Sequence, residues 1–299
     1  MDVLKKRNLF LAVTLLLIVV IVAVSAFILA QGPRESSVEV LAHNEDGTML
    51  VNDFNDGQMT IPYYNISTNT TLPQDFHEES NGTITYEGGE SLLGINVSSQ
   101  SGAIDWAQVK ENGVDFALIR VGYRGYKRGQ LVLDENFQTN IAGATEAGIP
   151  VGVYFYSKAV TDAEADEEAA FVLEQIRGYN VDYPIAFFWE YDYGDNGSLD
   201  QASRTIQCNG EQITGFIDAF CQKVEDAGFE ASYYASKSMA YETLDLSRLT
   251  QYDLWYAEYR AAPSFYYQFG MWQYTREGTV PGISQQVPIT LSFKDYANN

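Results

Sequence analysis

Residues 184–191, Pro-Ile-Ala-Phe-Phe-Trp-Glu-Tyr, form one of the most apolar short runs of this chain and contain a single carboxylate near their end. A continuous apolar run of this length predicts a strand buried on both faces, as in a parallel sheet. The carboxylate, Glu190, follows the aromatic residues directly. A carboxyl group among aromatic side chains has a raised pKa, which a general acid needs near neutral pH. The alternative is that Glu190 lies just beyond the buried part of the strand and is solvated or paired with a Lys or Arg.

Short apolar strands and amphipathic helices alternate on both sides of this run, from residue 92 onward. The predicted strands cover residues 93–97, 116–123, 151–157, 184–190, 231–235, 253–259 and 270–275. The predicted helices cover residues 105–112, 134–147, 162–177 and 210–227. This alternation implies parallel strands covered by helices. One α/β domain of about 200 residues fits a closed, TIM-like β/α barrel better than two smaller domains.

The N-terminus contains a second apolar run, residues 9–30, in which Thr14 and Ser25 are the only polar residues. A run of this length can cross a hydrocarbon core of about 30 Å at about 1.5 Å per residue. Residues 5–7 are Lys-Lys-Arg, and the positive-inside rule therefore places the N-terminus in the cytoplasm. The sequence predicts a single-pass transmembrane helix with the rest of the chain outside the cell. The alternative is a cleaved signal peptide with its processing site at residues 24–26.

Residues 32–90 are polar, rich in Asn, Thr, Glu, Asp and Gly, and show little hydrophobic periodicity. This composition predicts a spacer or partly ordered stalk, in which residues 37–41 and 83–86 are short extended pieces. The predicted organisation is a cytoplasmic N-terminus with a transmembrane anchor (1–31), a polar stalk (32–90) and a β/α barrel domain (91–299).

The charge of the chain excludes two classes of partner. Residues 1–31 contain three basic residues and one acidic residue, which leaves 15 basic and 39 acidic residues in 32–299, a net charge of −24. Such a surface repels both nucleic acid and anionic lipid headgroups. Attraction to a polyanionic cell wall would therefore depend on local stacking and hydrogen bonds.

Residues that form disulfides or bind metals are scarce in this sequence. Cys208 and Cys221 are the only cysteines. The predicted extracellular location allows a disulfide between them, but two cysteines are too few for a fold held together by disulfides. Cys221 lies in a predicted helix and is expected to pack in a core. The two histidines, His43 and His77, both lie in the predicted stalk. The sequence therefore predicts neither a metal site nor a cofactor.

Active groups of a β/α barrel lie at the carboxyl ends of its strands. Applied to the predicted strands, this rule selects Asn96, Tyr123, Tyr154, Tyr156, Glu190, Glu258, Tyr259, Trp272 and Tyr274. Aromatic rings stack on sugars and carboxyl groups act on glycosidic bonds, so this combination indicates a carbohydrate site. The alternative for each aromatic side chain is that it fills the barrel interior.

Seven ordered segments carry a resemblance to a known family. They are Gly-Ile-Asn-Val-Ser at 94–98, Ile-Asp-Trp at 104–106, Gly-Val-Asp-Phe-Ala-Leu-Ile-Arg-Val-Gly-Tyr at 113–123, Ala-Gly-Ile-Pro-Val-Gly-Val-Tyr at 147–154, residues 183–190, Met-Trp-Gln-Tyr-Thr at 271–275 and Val-Pro-Gly-Ile at 280–283. Over about residues 93–296 the chain thus resembles the glycoside hydrolase family 25 lysozymes, which are N-acetylmuramidases of peptidoglycan. The resemblance implies a modified β/α barrel with an acidic groove and an Asp-x-Glu motif on the fourth strand. Within that motif, Glu190 aligns with the catalytic acid.

Three acidic positions of that family are replaced in this chain. Phe188 occupies the Asp position of the Asp-x-Glu motif, Asn96 that of the opening Gly-Ile-Asp-Val-Ser pattern, and Pro288 that of the closing Val-Asp-Leu-Asn pattern. Glycoside cleavage usually needs an acid and a second group that meets positive charge at the sugar carbon. That second group is a carboxylate, or the N-acetyl group of the substrate oriented by one, and Phe188 can fill neither role.

Two other carboxylates are candidate substitutes. Asp192 lies two residues after Glu190, so on an extended strand it would share the same face. Glu258 ends another predicted strand. The alternatives are a solvated turn for Asp192 and an ion pair with Arg260 or Arg120 for Glu258.

The sequence therefore predicts a membrane-anchored, extracellular lysozyme-like domain that acts on the glycan strands of peptidoglycan. Under one hypothesis, Glu190 still supports muramidase activity. Under the alternative, the domain is catalytically inactive and serves as a cell-wall glycan-binding or scaffolding module. A third hypothesis is a structural head without affinity for glycan.

Overall fold

The computed structural model describes residues 36–194 and 196–298. The predicted membrane anchor, residues 9–30, lies outside these ranges. Within them, no helix is both long enough and apolar enough to cross a bilayer.

The segment predicted as a stalk is folded from residue 36 onward and packs on the barrel. Its strands are β1 (Val38–His43), β2 (Thr48–Asp53) and β3 (Gly57–Pro62) in one antiparallel sheet, and β4 (Phe76–Glu78) and β5 (Ile84–Tyr86) in a hairpin. Met49 and Val51 are fully buried and share one apolar core with the barrel. The prediction of a spacer over 32–90 is thus corrected for residues 36–90. In a half-buried strand only every second residue is apolar, so the average composition stays polar.

Eight strands close into a barrel, which confirms the predicted α/β barrel in a modified form. The strands after β5 are β6 (Leu92–Val97), β7 (Phe116–Arg124), β8 (Leu131–Leu133), β9 (Val151–Ser157), β10 (Ile185–Trp189), β11 (Ala231–Ser236), β12 (Asp253–Ala257), β13 (Met271–Gly278) and β14 (Val287–Ser292). The ring runs β6-β7-β9-β10-β11-β12-β13-β14 and returns to β6, while β8 forms a hairpin with β7. Neighbours in the ring are parallel except where β14 meets β13 and β6.

The closing strand β14 is the barrel strand that the sequence pattern did not predict. Pro288 interrupts it and has no N–H for a strand ladder. The pairing with β13 joins Thr275 to Ile289 and Gly278 to Val287, with a register shift between them, so that Pro288 lies where the ladder skips. This irregularity allows a proline inside a barrel strand.

Five helices cover the described part of the barrel. They are α1 (Trp106–Glu111), α2 (Phe137–Glu146), α3 (Asp162–Gln175), α4 (Gly210–Asp226) and α5 (Lys237–Glu242). Local signals set their limits: the Thr161 side chain accepts a hydrogen bond from the Glu164 amide at the start of α3, and Asn209 and Gln212 form a capping box at the start of α4. Gly228, with φ of 87°, follows the end of α4 in the left-handed conformation that glycine favours. Cys221 is buried in α4 as predicted, and both cysteines are free thiols.

The interior of the barrel is filled by apolar side chains, so the strand ends form a floor rather than a pore. The Phe116 and Tyr183 rings stack with centroids 4.3 Å apart. Gly94 is required beside them, because a Cβ at this position would lie 2.2 Å from the Phe116 ring. Above this layer, the rings of Tyr234 and Trp255 pack edge to face at 5.2 Å.

A buried ion pair joins β7 to α3 and predicts how stability depends on pH. Arg124 Nε donates to Glu168 Oε1 at 2.6 Å, and burial raises the pKa of Glu168 to about 7. Folding then takes up a proton between the ordinary pKa of 4.5 and about 7. The free energy of unfolding should therefore fall by about 1–3 kcal/mol as the pH rises from 5 to 8. Denaturant melts at both pH values measure this fall, which Glu168→Gln should reduce; an unchanged fall in that variant would contradict the assignment.

Candidate active site

A groove of about 350 Å³ opens at the carboxyl ends of the barrel strands. The strand ends bring to it residues that are far apart in sequence. Its lining consists of Asn96, Gln100, Arg120, Tyr154, Tyr156, Phe188, Glu190, Trp255, Gln273, Arg276 and Pro288. Among these lining residues, Glu190 is the one acidic side chain.

Glu190 lies directly after β10, and about one quarter of its side chain is exposed. Burial raises its pKa, although Arg276 and Lys158 oppose this shift by favouring the charged carboxylate. The Arg276 guanidinium lies 3.5 Å from Glu190 Oε1, and Lys158 Nζ donates to the Glu190 backbone oxygen at 2.6 Å. Glu190 thus lines a groove at the end of its strand, and the Arg276 guanidinium lies beside it.

The three replaced positions, Asn96, Phe188 and Pro288, all line this groove. Phe188 shares the groove with Glu190, and its ring stacks on Tyr234 with centroids 3.8 Å apart and an angle of 16° between the planes. Asn96 is 4% exposed, and its Oδ1 accepts a hydrogen bond from Thr290 at 3.2 Å. Asn96 Nδ2 has no hydrogen-bond partner among the described residues. An apolar ring and an amide therefore stand where the resemblance implies carboxylates.

Asp192 lies beside the groove rather than in it. Its Oδ1 is 2.9 Å from Lys158 Nζ, and its Oδ2 accepts a hydrogen bond from the Ser203 hydroxyl. It lines an adjoining cavity of about 480 Å³ together with Tyr123 and Tyr156. Because Tyr156 belongs to both cavities, the two are adjacent. Asp192 is thus neither a solvated turn residue nor a free carboxylate.

The structure places Glu258 in a buried network instead of the groove. Its carboxylate accepts hydrogen bonds from Tyr256 at 3.0 Å, the Ser264 amide at 2.7 Å and the Asn55 amide group at 3.1 Å. Lys237 Nζ lies 3.3 Å from Glu258 Oε1. Asn55 belongs to the N-terminal segment, so this carboxylate connects that segment to the barrel. Neither Arg260 nor Arg120 is its partner, and its geometry does not support a role as a substitute for the missing aspartate.

The predicted aromatic residues divide between two faces of the barrel wall. Tyr154 and Tyr156 line the groove, and burial raises the pKa of Tyr154 to about 12. Tyr259 lies at the rim, where the Arg276 guanidinium is 4.9 Å from its ring centre. Trp272 and Tyr274 lie on the other face: Trp272 packs on Phe76 at 5.2 Å, and the Tyr274 hydroxyl accepts a hydrogen bond from Ile84 at 3.4 Å. Their predicted role in substrate binding is corrected to packing of the N-terminal hairpin.

Sequence reasoning did not find the groove residues of β13. Gln273 lies between Trp272 and Tyr274 and therefore points to the groove side of the wall. A register shift between Gln273 and Thr275 then reverses the alternation and brings Arg276 to the same side. Alternation could have identified Gln273 once the inner face was known, but no sequence signal locates the register shift.

Comparisons with known proteins assign the chain to a family. Residues 95–283 match the glycosyl hydrolases family 25. The chain is 27% identical over 194 residues to an autolytic lysozyme of Clostridium acetobutylicum, covering 64% of this chain and 53% of that protein. It is 25% identical over 177 residues to a probable family 25 lysozyme of Dictyostelium discoideum, covering 58% of this chain and 76% of that protein. The chain thus spans about half the length of the Clostridium relative.

Solved structures share the fold at lower sequence identity. The modular autolysin LytC of Streptococcus pneumoniae, in complex with a synthetic peptidoglycan ligand, superposes with a TM-score of 0.57 and 22% identity, covering 83% of this chain and 57% of that one. A family 25 glycosyl hydrolase of Bacillus anthracis superposes with a TM-score of 0.56 and 20% identity, covering 68% of this chain and 89% of that one. The family match spans more than half of the chain and confirms the resemblance of its motifs. This chain belongs to glycosyl hydrolase family 25.

Proposed function

We propose that the barrel domain binds glycan strands of peptidoglycan in the groove that contains Glu190, and that it cleaves the muramyl bond at most slowly. The observation that carries the proposal is the lining of the groove. Glu190 follows the end of β10, the Arg276 guanidinium lies 3.5 Å from it, and Phe188 lines the same groove in place of an aspartate. The groove thus contains Glu190 as the general acid and an aromatic floor. No second carboxylate lines it among the described residues.

The binding part of the proposal is supported by the groove surface. Tyr154 and Tyr156 are partly exposed and provide aromatic surface, while Gln273 and Asn96 provide amides that hydrogen-bond sugar hydroxyl and acetamido groups. These side chains belong to barrel strands, which hold them on a rigid scaffold, so little ordering is needed on binding.

The slow-cleavage part follows from the charge around Glu190. Positive charge develops at the sugar carbon during glycoside cleavage, and a carboxylate normally meets it. The Arg276 guanidinium instead brings positive charge to within 3.5 Å of Glu190. Loss of one group that stabilises a transition state commonly reduces the rate by about two to three orders of magnitude. Asp192 is held by Lys158 and Ser203, so it is poorly placed to compensate.

The apolar run at residues 9–30 supports a further part of the proposal, a membrane anchor that holds the barrel outside the cell. Protease treatment of intact cells tests this part. Digestion of residues 36–298 without cell lysis is expected, and protection of the domain until lysis would contradict it.

The central experiment measures binding and cleavage with the same preparations. Purified residues 32–299 and the Glu190→Gln variant are incubated with insoluble peptidoglycan, and sedimentation and release of reducing ends are recorded. The Clostridium autolytic lysozyme serves as the positive control. We expect the wild-type domain to sediment with the peptidoglycan and to release reducing ends at less than about 1% of the rate of the control. The Glu190→Gln variant should sediment equally well.

Two results would contradict the proposal in different ways. Rapid release of reducing ends that Glu190→Gln abolishes would show an active muramidase, in which another group replaces the missing aspartate. Failure of the wild-type domain to sediment with peptidoglycan would contradict glycan binding itself.

A further inference from the structure

The groove differs in charge from the rest of the domain. Residues 32–299 carry a net charge of −24, yet the charged side chains that line the groove are Arg120, Arg276 and Glu190. Arg120 is neutralised by the buried Asp134, whose Oδ2 lies 2.7 Å from the guanidinium. Arg276 is more than half exposed, and its acidic neighbour is Glu190 at 3.5 Å. The groove therefore presents an accessible cation within a strongly acidic protein.

The position of Arg276 is fixed by its neighbours. Its Nε donates to the Tyr259 hydroxyl, and the guanidinium lies 4.9 Å from the centre of the Tyr259 ring. The Tyr259 hydroxyl in turn lies 3.2 Å from the Tyr234 hydroxyl and donates to Gln273 Oε1 at 2.9 Å. This network orients the guanidinium. Nη2 faces Glu190 Oε1 at 3.5 Å, and Nη1, which makes no hydrogen bond among the described residues, remains to bind another group.

Several hydrogen-bond donors besides Arg276 line the groove. Gln273 uses its Oε1 to accept from Tyr259, which leaves its Nε2 as a donor. Asn96, 4% exposed in the groove floor, has an Nδ2 without a partner among the described residues. The Tyr154 and Tyr156 hydroxyls also line the groove, and each can donate a hydrogen bond. A donor-rich surface of this kind is complementary to an anion rather than to a neutral sugar ring alone.

We propose that the groove selects a glycan that carries a free carboxylate, and that the Arg276 guanidinium binds this carboxylate. The inference rests on the proposed function and specifies its substrate class. In a muramic acid residue, the lactyl carboxylate is free only where the stem peptide is absent. Peptide-free strands are therefore the expected ligand, while a uronic acid polymer carries the same chemistry from another source.

The test compares ligands that differ only in the charge of the carboxyl group. Glycan strands freed of stem peptides are used with their lactyl carboxylates intact or converted to primary amides, beside oligosaccharides that contain uronic acid. Calorimetric titration gives the affinities of the wild-type domain, in which Glu190 still faces Arg276, and of the Glu190→Gln domain, which excludes turnover. We expect the free-carboxylate strands to bind about tenfold tighter than the amidated strands, because charge-assisted hydrogen bonds are worth more than neutral ones.

Variants of Arg276 separate charge recognition from folding. Arg276→Gln, in the same Glu190→Gln background, should reduce binding of free-carboxylate strands about tenfold and leave binding of amidated strands within about twofold. Arg276→Lys should recover part of the loss, because it keeps the charge without the forked donors. The matched control is Arg177→Gln, which should leave both affinities unchanged. Arg177 lies just after α3, and its exposed guanidinium pairs with Glu174 of that helix.

The outcomes distinguish this inference from the proposed function. Equal binding of charged and amidated strands, unaffected by Arg276→Gln, would overturn the inference while glycan binding stands. Failure to bind any strand would overturn the proposed function instead. Preferential binding of the uronic acid ligand would support carboxylate recognition and overturn the assignment of peptide-free muramic acid as its source.

Discussion

Phe188→Asp is expected to lower the free energy of unfolding by about 3 kcal/mol, although it restores the acidic residue that the family pattern implies. Phe188 stacks on Tyr234 at 3.8 Å and contacts the rings of Tyr154, Tyr156 and Trp255 at 5.2–5.9 Å between centroids. The substitution opens a cavity among these rings and places a carboxyl group in it. Aromatic surroundings would also keep that carboxyl protonated, so this change alone should restore little hydrolysis.

Thermal unfolding measures the first part of this prediction. About 3 kcal/mol corresponds to a decrease in Tm of roughly 6–12 °C for a domain of this size. The control is Phe54→Asp, because Phe54 is 51% exposed and its loss should change Tm little. Equal Tm values for Phe188→Asp and wild type would show that the aromatic cluster contributes no stability. It would also remove the packing explanation for a phenylalanine at this position.

Lys237→Ala is expected to lower the free energy of unfolding by about 3–5 kcal/mol, since it removes the cation from a buried cluster of carboxylates. Lys237 Nζ lies 2.7 Å from Asp53, 2.6 Å from Asp56 and 3.3 Å from Glu258. The Asp53 and Glu258 side chains are 1% and 7% exposed, so water cannot solvate their charges once the lysine is removed. Asp53 and Asp56 come from the N-terminal segment, whereas Lys237 and Glu258 belong to the barrel. The substitution should therefore also detach β1–β3 from the barrel.

Hydrogen exchange and denaturant melts measure both effects. Faster exchange in residues 38–62 should accompany the loss of stability. The control is Lys223→Ala, because Lys223 pairs with Asp166 on the surface, where an ion pair is worth less than about 1 kcal/mol. A loss no larger than that of Lys223→Ala would show that the buried cluster does not connect the two parts.

The barrel itself was predictable because its signals are local. Apolar runs with the length of strands, polar helix starts and glycines at helix ends occur in the order that the structure shows. Val151–Ser157 was predicted with its observed bounds, and the bounds of the other predicted elements differ by one to three residues. The antiparallel β14 was missed because Pro288 and Thr290 interrupt its apolar pattern.

The side of each barrel strand that faces the groove was not predictable. Both sides of a barrel strand are covered, one by the interior and one by helices or the N-terminal segment, so both are apolar. On β13 the aromatic residues Trp272 and Tyr274 suggested a sugar platform, while Gln273 and Arg276 line the groove. The same ambiguity made Glu258 appear to be a groove carboxylate.

The sequence by itself determined the family, the barrel, and the position of Glu190 at the end of a buried strand with Phe188 two residues earlier. These follow from residue order and from a two-residue strand period. Only the tertiary structure decided that Arg276 faces Glu190, that Asp192 is held by Lys158, and that residues 36–90 pack on the barrel. The physical reason is that each of these contacts joins residues from different elements. Which way these side chains point depends on strand register and on packing across the whole barrel, and no local sequence pattern encodes either.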